Sequence, residues 1–283
     1  MLIKDKNIVT IDTLPSLDSD YAIQPEQVQA YQDNGHILLR EVASAAEIEA
    51  FRPVISGAAM TFNKETRALA DRTTYGKAFL QISNLWERDE AVKRFTLARR
   101  FARIAADLMG VEGVRIYHDQ ALYKEPGGGF TPWHQDQHYW PLATNHTVTM
   151  WMPLVDLQAD MGIMQFASGS HKAGYLGDMP ISDESEATIS QYVKENGFGL
   201  SQAVAMQAGD ATFHSGWTLH SAPGNSSDTM REVMTVIYFA DGVNISAIDN
   251  ANRQQDLERW LPGCQPGDPA VSPLTPLVYK RGM

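Results

Sequence analysis

Cysteine is almost absent from the sequence, and no long apolar run occurs. Cys264 is the only cysteine among 283 residues, which excludes the disulfide framework typical of small secreted domains. No stretch approaches the roughly 18 apolar residues that a membrane-spanning helix requires. Residues 1–6 also lack the apolar core of a secretory signal. Together these absences predict a cytoplasmic protein.

Basic residues are outnumbered by acidic ones. The sequence has 23 lysines and arginines against 34 aspartates and glutamates, which gives a formal net charge of -11 at pH 7. Nucleic acids and anionic membranes bind clustered positive charge, so neither is expected as a partner.

Helical patterns dominate the first 110 residues. The predicted elements there are a helix over 25–34 that ends at Gly35, a strand over 36–39, a helix that begins after Ser44 and runs to about Ile55, a strand over 77–84, and a helix over 90–109 that ends at Gly110. The helix starts and stops rest on a proline in the first turn, a Ser-x-x-Glu capping pattern, and glycines just past the last turn.

Strand patterns follow from Gly113 onward. They cover 114–123, 147–155, 203–206, 210–213 and 231–240. Short strands separated by glycine and proline, with few helices between them, predict an antiparallel barrel or sandwich of the jelly-roll type. We therefore expect a mostly β fold with flanking helices, in a single domain: a helical part over about 24–110, a barrel over about 111–242, and a C-terminal tail over 243–283.

A histidine and an aspartate two residues apart, His134 and Asp136, form the first candidate site. On an extended segment such residues point to the same face and can converge on one ion. Imidazole and carboxylate suit a first-row cation such as ferrous iron. The best candidate for a third ligand is His220, which Arg231 follows eleven residues later. His214 is the alternative third ligand.

At these residues the sequence resembles the phytanoyl-CoA dioxygenase family, whose members are iron(II)- and 2-oxoglutarate-dependent oxygenases. The resemblance runs from about Pro25 to about Ala240 and is closest over 134–141, 162–172 and 219–231. It implies a double-stranded β-helix, or cupin-like barrel, with iron(II) as cofactor, and with 2-oxoglutarate, dioxygen and a small molecule as substrates.

The resemblance also implies roles for single residues. His134, Asp136 and His220 would bind the metal, and Arg231 would pair with the distal carboxylate of 2-oxoglutarate. Trp151 matches a tryptophan that contacts the co-substrate in the family, and Gln120 could donate an amide hydrogen bond to co-substrate or substrate. One departure is Ala222, where many relatives carry a hydroxyl that touches 2-oxoglutarate; the neighbouring Ser221 is a candidate replacement.

The expected reaction is hydroxylation of an unactivated C–H bond, with release of succinate and CO₂. A small or terpenoid-like metabolite is the expected substrate. A cupin-like binding protein without oxidative activity is one alternative, although it would not need the dicarboxylate clamp at Arg231. A desaturase or a halogenase of the same fold is another. By resemblance, halogenases replace the metal-binding aspartate with a small residue, so Asp136 opposes that assignment.

Other segments could contribute to the site. Lys77 or Gln81 could face a co-substrate carboxylate, and the rings of His138, Tyr139 and Trp140 could line the substrate side. The glycine-rich loop over 124–132 lacks a phosphate-binding pattern and is expected to flex at the entrance. The insertion over 177–199 could be a lid or a plain surface excursion. The tail could cover the barrel or contribute to a homodimer contact.

Overall fold

The computed structural model describes residues 11–283, so the interpretation of residues 1–6 lies outside the described part. Within it the α-helices are α1 (Pro25–Asn34), α2 (Ala45–Phe62), α3 (Thr74–Ala78), α4 (Glu90–Thr96), α5 (Arg99–Met109), α6 (Asp183–Glu195) and α7 (Ala251–Trp260). The strands are β1 (His36–Leu39), β2 (Leu80–Ser83), β3 (Gly113–Lys124), β4 (Thr131–His134), β5 (Thr147–Pro153), β6 (Leu157–Gln158), β7 (Gln165–Ala167), β8 (Leu200–Gln202), β9 (Ala205–Met206), β10 (Ala211–Ser215), β11 (His220–Ala222), β12 (Arg231–Ala240) and β13 (Leu277–Lys280).

Two antiparallel sheets form the barrel. The larger has the order β1-β10-β5-β12-β3-β13, and β2 also pairs with β3. The smaller has the order β4-β11-β7-β8, while β6 and β9 form a separate pair. Residues from both sheets line one cavity. The predicted jelly-roll fold with flanking helices is therefore confirmed.

Local sequence determines where the first helices begin and end. Pro25 occupies the start of α1, and Gly35 ends that helix with a φ of 78° while its N–H donates to the carbonyl of Tyr31. At α2 the Ser44 side chain accepts from the Glu47 backbone N–H, and the Glu47 carboxylate accepts from the Ser44 N–H. Both predicted boundaries are confirmed because they depend only on neighbouring residues.

Two predicted helices differ in the structure. Helix α2 continues to Phe62, beyond the expected end at Ile55, because Ala58 and Ala59 extend its buried face. The single helix predicted over 90–109 is divided into α4 and α5 at Ala98. Apolar spacing is similar on both sides of the break, so the pattern alone did not indicate it.

The strand predicted over 77–84 is shorter, and the tail contains a strand that was not predicted. The Thr73 hydroxyl accepts from the Gly76 N–H and opens α3, which places Lys77 in a helix. In the tail, β13 pairs with β3 through Tyr279 and Val114. That pairing joins segments far apart in sequence, so the local pattern of the tail did not indicate the strand.

The main hydrophobic core lies between the large sheet and helices α2, α4 and α5. Phe51, Phe95 and Phe101 are fully buried there, and the ring of Phe95 lies 5.5 Å from that of Phe51 and 5.1 Å from that of Phe101 between centroids. Burying such rings stabilises the sheet by roughly 1.5–3 kcal/mol each. The other face of the sheet is left to line the cavity.

Candidate metal centre and active site

His134, Asp136 and His220 come together at the boundary between the two sheets. His134 ends β4 and His220 begins β11, where the two are direct partners across the strand pair. The Oδ1 atom of Asp136 lies 3.5 Å from Nε2 of His134 and 3.6 Å from Nε2 of His220. One ligand atom from each residue lies within 4.8 Å of the others, so these three side chains could hold one metal ion.

Backbone carbonyls orient both imidazoles. His134 donates its Nδ1 hydrogen to the carbonyl of Pro132 at 2.8 Å, and His220 donates its own to the carbonyl of Thr218 at 2.9 Å. A carbonyl can only accept, so Nδ1 carries a hydrogen in each ring, and Nε2 is the atom that faces Asp136. This is the arrangement that metal-binding histidines adopt. The donor set therefore fits ferrous iron.

The second carboxylate oxygen of Asp136 faces away from the two histidines. Its Oδ2 accepts hydrogen bonds from the Thr149 hydroxyl at 2.9 Å and from His214 Nε2 at 3.2 Å. Burial opposes ionisation of Asp136, but His220, His134 and His214 outweigh it and hold its pKa well below its usual range. His214 therefore orients a ligand from β10 and lies outside the three-residue cluster.

Burial also keeps the second histidine of the cluster neutral. His220 is 3 % exposed, and burial together with the neighbouring His134 lowers its pKa well below the usual range. A neutral imidazole is the form that binds a metal. His220 therefore supplies a neutral nitrogen, while Asp136 supplies a negative charge.

A β-bulge in β4 brings a further residue into the cavity. The partner of His220 is His134, whereas the partner of Ala222 is Thr131. Between these two pairs β4 therefore contains two residues, whereas β11 contains one. The bulge allows Thr131 and His134, three positions apart, to line the same cavity. Sequence reasoning missed Thr131 because strict alternation would place it on the opposite face.

Trp133, in the bulge, is hydrogen-bonded to α6, the helix within the insertion over 177–199. The backbone N–H of Trp133 donates to the Glu186 carboxylate at 2.9 Å, and its carbonyl accepts from the Ser185 hydroxyl at 3.2 Å. The two backbone groups that a bulge leaves unpaired are thus satisfied by side chains in the first turn of α6. Pro180 and Ile181, from the same insertion, line the cavity.

Arg231 lies in the cavity, at the start of β12. It is 2 % exposed, its Nη1 donates to the Gly162 carbonyl at 2.6 Å, and its buried Nε has no hydrogen-bond partner among residues 11–283. Its guanidinium lies 5.3 Å from the ring centroid of Trp151. Burial lowers the pKa of Arg231 to about 9, so the group remains a cation at neutral pH. A buried cation with an unused donor is suited to an anionic ligand.

The remaining candidates fall into two groups. Those that line the cavity, which has a volume of about 390 Å³, are Gln81, Gln120, Tyr139, Trp140, Trp151, His214 and Ser221. Lys77 and His138 do not line it. Ser221 is the candidate replacement for the hydroxyl that is missing at Ala222. Its own hydroxyl already accepts a hydrogen bond from the Gln165 amide at 2.8 Å.

Helix α7 forms one wall of the cavity. Asn252, Gln255, Asp256 and Arg259 share a helical face that lines it, together with Trp260. Asp256 accepts a hydrogen bond from the Tyr117 hydroxyl at 3.0 Å, and burial raises the pKa of its carboxyl to about 7. The tail therefore covers the barrel mouth, one of the two roles that the sequence left open.

The glycine-rich loop over 124–132 forms backbone hydrogen bonds with two separate segments of the chain. Gly127 donates to the carbonyl of Asn225 at 2.8 Å, Asn225 donates to the carbonyl of Gly128 at 2.9 Å, and Gly129 donates to the carbonyl of Lys77 at 2.8 Å. These bonds give no support to the expectation of a flexing entrance loop.

The family model of the phytanoyl-CoA dioxygenases matches residues 31–233. The chain belongs to the phytanoyl-CoA dioxygenase family. It is therefore a dioxygenase that depends on iron(II) and 2-oxoglutarate, as the sequence motifs predicted. No helix within residues 11–283 is both long and apolar enough to cross a membrane.

Members and structural neighbours of this family differ widely from the chain in sequence. The peroxisomal phytanoyl-CoA dioxygenase of Bos taurus is 23 % identical over 259 residues, which cover 83 % of this chain and 73 % of the bovine protein. The non-heme alpha ketoglutarate dependent carbocyclase SnoK from nogalamycin biosynthesis superposes with a TM-score of 0.73 at 24 % identity, covering 91 % of this chain and 97 % of its own. The epimerase SnoN, in complex with Fe³⁺, alpha ketoglutarate and nogalamycin RO, has a TM-score of 0.72 at 22 % identity and covers 90 % and 98 %. These two neighbours share the fold.

Proposed function

We propose that this dioxygenase hydroxylates an unactivated C–H bond of a small-molecule metabolite, while 2-oxoglutarate is converted to succinate and CO₂. One atom of dioxygen would enter succinate, and the other would enter the product. The observation that carries this proposal is the joint presence of three metal ligands and a buried arginine in one cavity. A metal site alone would suit many functions, whereas the added cation suits a dicarboxylate co-substrate.

The metal would be held by Nε2 of His134, Nε2 of His220 and Oδ1 of Asp136. Bound there, iron(II) supplies the activation of dioxygen that C–H oxidation requires. The protein's own part is to keep the ligands fixed. Thr149 and His214 would hold the Asp136 carboxylate in one orientation through its Oδ2 atom, as second partners of metal ligands do.

The co-substrate would lie at the end of the cavity that contains Arg231. The guanidinium can make two parallel hydrogen bonds to a carboxylate, and its unused Nε is one of the donors available. Trp151 would pack beside the co-substrate, and Gln120 would donate from β3. We add Thr131 to these residues, because it lines the cavity and carries a hydroxyl, which its strand partner Ala222 lacks.

The substrate would occupy the part of the cavity between the metal ligands and α7. Aromatic side chains line this part, namely Tyr75, Tyr139, Trp140 and Trp260, and such rings pack on apolar molecules. Polar groups of α7 are interspersed, including Asp256 and Arg259. This mixture suits a largely apolar metabolite that carries a few oxygen functions, as a hydroxylated ring system or terpenoid does.

Two other functions fit the site less well. A cupin-like binding protein would share the metal but would have no use for the buried cation at Arg231. A halogenase would need a coordination position for halide, and the Asp136 carboxylate fills that position. Desaturation uses the same residues as hydroxylation and differs only in the fate of the substrate.

The test adds iron(II), 2-oxoglutarate and ascorbate to the purified protein in air. Mass spectrometry measures the succinate that forms. Slow turnover is expected without substrate and faster turnover with a suitable one. The matched control is His220→Ala, which should form no succinate. A wild-type protein that binds iron but never forms succinate would support the binding-protein alternative.

A further inference from the structure

A second buried basic side chain lies next to Arg231 and has no role in the function described above. Lys124, the last residue of β3, is 0 % exposed. Its ammonium donates to the carbonyl of Gly129 and lies 3.5 Å from the hydroxyl of Thr131. It forms no salt bridge within residues 11–283, where the lysines that do so are Lys93 and Lys280.

Lys124 and Arg231 are direct partners across the β3–β12 pair, so their side chains lie on the same face of the sheet. Both also contact Gly162. Arg231 donates to the Gly162 carbonyl, and a Cβ atom added to that glycine would lie 3.1 Å from Cδ of Lys124. The two basic side chains therefore converge beside one backbone segment.

This pair is unfavourable when both side chains are charged. Like charges directly opposite each other on paired strands repel, and a buried charge without a partner is costly because it has lost its hydration. Arg231, like Lys124, forms no salt bridge with any residue of the described range 11–283. An anion bound beside the two side chains, on the same face of the sheet, would remove both costs at once.

We propose that Lys124 is a positioning residue for the co-substrate, and that its ammonium, acting through Thr131 and beside Arg231, completes the positive site for the distal carboxylate of 2-oxoglutarate. The inference rests on the proposed function. Thr131 is the link, because its hydroxyl lies 3.5 Å from Nζ of Lys124 and the residue lines the same cavity as Arg231.

The burial of Lys124 also predicts a change in its protonation when 2-oxoglutarate binds. Burial, with a smaller contribution from Arg231, lowers the pKa of the Lys124 ammonium to about 6 in the free protein. Arg231 is the charged group that faces it from β12; Glu125, next along the chain, is paired with Arg72 instead. A bound carboxylate would raise the pKa again. Lys124 would then take up a proton as 2-oxoglutarate binds at neutral pH.

Binding measurements can separate this role from simple loop support. Calorimetry on the iron(II)-loaded protein without dioxygen would compare 2-oxoglutarate with 2-oxopentanoate, which chelates in the same way but has an uncharged tail. Lys124→Met should weaken 2-oxoglutarate binding by about 10- to 100-fold, the effect of losing one charge-assisted contact, and should leave 2-oxopentanoate binding unchanged. Equal weakening of both acids, or of neither, would overturn the proposal.

Proton uptake provides a second readout. Titrations at pH 7.5 in phosphate and in Tris, which differ in ionisation enthalpy, should show uptake approaching one proton in the wild type and none in Lys124→Met. Lys77→Met is the matched control, since Lys77 borders the same glycine-rich loop without lining the cavity, and it should behave as wild type. Equal proton uptake in wild type and Lys124→Met would assign the proton to another group and refute the inference.

The two proposals fail differently. If the wild-type protein does not bind 2-oxoglutarate at all, the proposed function itself is wrong. If it binds and Lys124→Met binds equally well, only the role of Lys124 is wrong. Should Lys124→Met fail to fold, Thr131→Val tests the same link with almost no change in volume, and it should reduce the preference for 2-oxoglutarate over 2-oxopentanoate. An unchanged preference would refute the link.

Discussion

His134 and His220 are direct partners on neighbouring antiparallel strands, and their ring centroids lie 4.1 Å apart. The close pairing results from the backbone hydrogen bonds of the smaller sheet, which fix the two Cα atoms before any metal binds. The Asp136 carboxylate then reaches both rings from the turn that follows β4. The metal site is thus built on strands that the fold holds rigid.

The assignment of the third ligand is tested by comparing two histidines. His220→Ala should abolish iron(II) binding and succinate formation, because it removes one of three protein ligands. His214→Ala should reduce metal affinity by about 10- to 100-fold, the usual effect of losing a partner of a ligand. His146→Ala, at an exposed position, should change nothing. Calorimetric titration with iron(II) checks all three; loss of binding in His214→Ala with near-normal binding in His220→Ala would reverse the assignment.

The role of Arg231 predicts a specific kinetic change. Arg231→Ala should raise the Michaelis constant for 2-oxoglutarate far more than that for iron(II). Truncating one partner of a buried charged pair costs roughly 2 to 5 kcal/mol, or about 30- to several-thousand-fold in affinity. Steady-state kinetics with varied 2-oxoglutarate, after thermal unfolding has shown that the variant folds, checks it. An unchanged Michaelis constant would mean that another residue binds the distal carboxylate of 2-oxoglutarate.

The contact between α6 and the bulge predicts an effect on stability. Glu186→Ala should lower the free energy of unfolding by about 1–3 kcal/mol, because it leaves the backbone N–H of Trp133 without its acceptor. Glu184→Ala, on the exposed side of the same turn, is the control and should change stability by less than about 0.5 kcal/mol. Urea unfolding measures both. Equal stability of the two variants would mean that α6 does not support the strand that carries His134.

The carboxylate of Asp136 predicts the type of product. It supplies a negative charge and fills a coordination position, so halide has neither a place nor an attraction at the metal. Reactions with candidate substrates in excess bromide should therefore give a hydroxylated product, or a desaturated one if a second hydrogen is lost, and no brominated product. Mass spectrometry decides the matter: a bromine isotope doublet from the unmodified protein would be incompatible with Asp136 as a metal ligand.

Features that depend on near neighbours in the chain were predictable from the sequence. The start of α1 at Pro25, the capping box at Ser44 and the strand over 231–240 all follow from a few adjacent side chains. The pair His134 and Asp136 was found in the same way, and His220 and Arg231 followed as candidates from their spacing. Together these motifs sufficed for the enzyme class, because they match those of one family.

Features that depend on pairing between distant segments were decided by the tertiary structure. The bulge that turns Thr131 into the cavity exists only in the register between β4 and β11. The contact of His214 with the second carboxylate oxygen of Asp136 likewise depends on β10, a strand of the other sheet. Lys124 looks like an ordinary strand-end lysine until β12 places Arg231 opposite it. The physical reason is that alternation and capping act over a few residues, whereas register is determined by the burial and hydrogen bonding of the whole sheet.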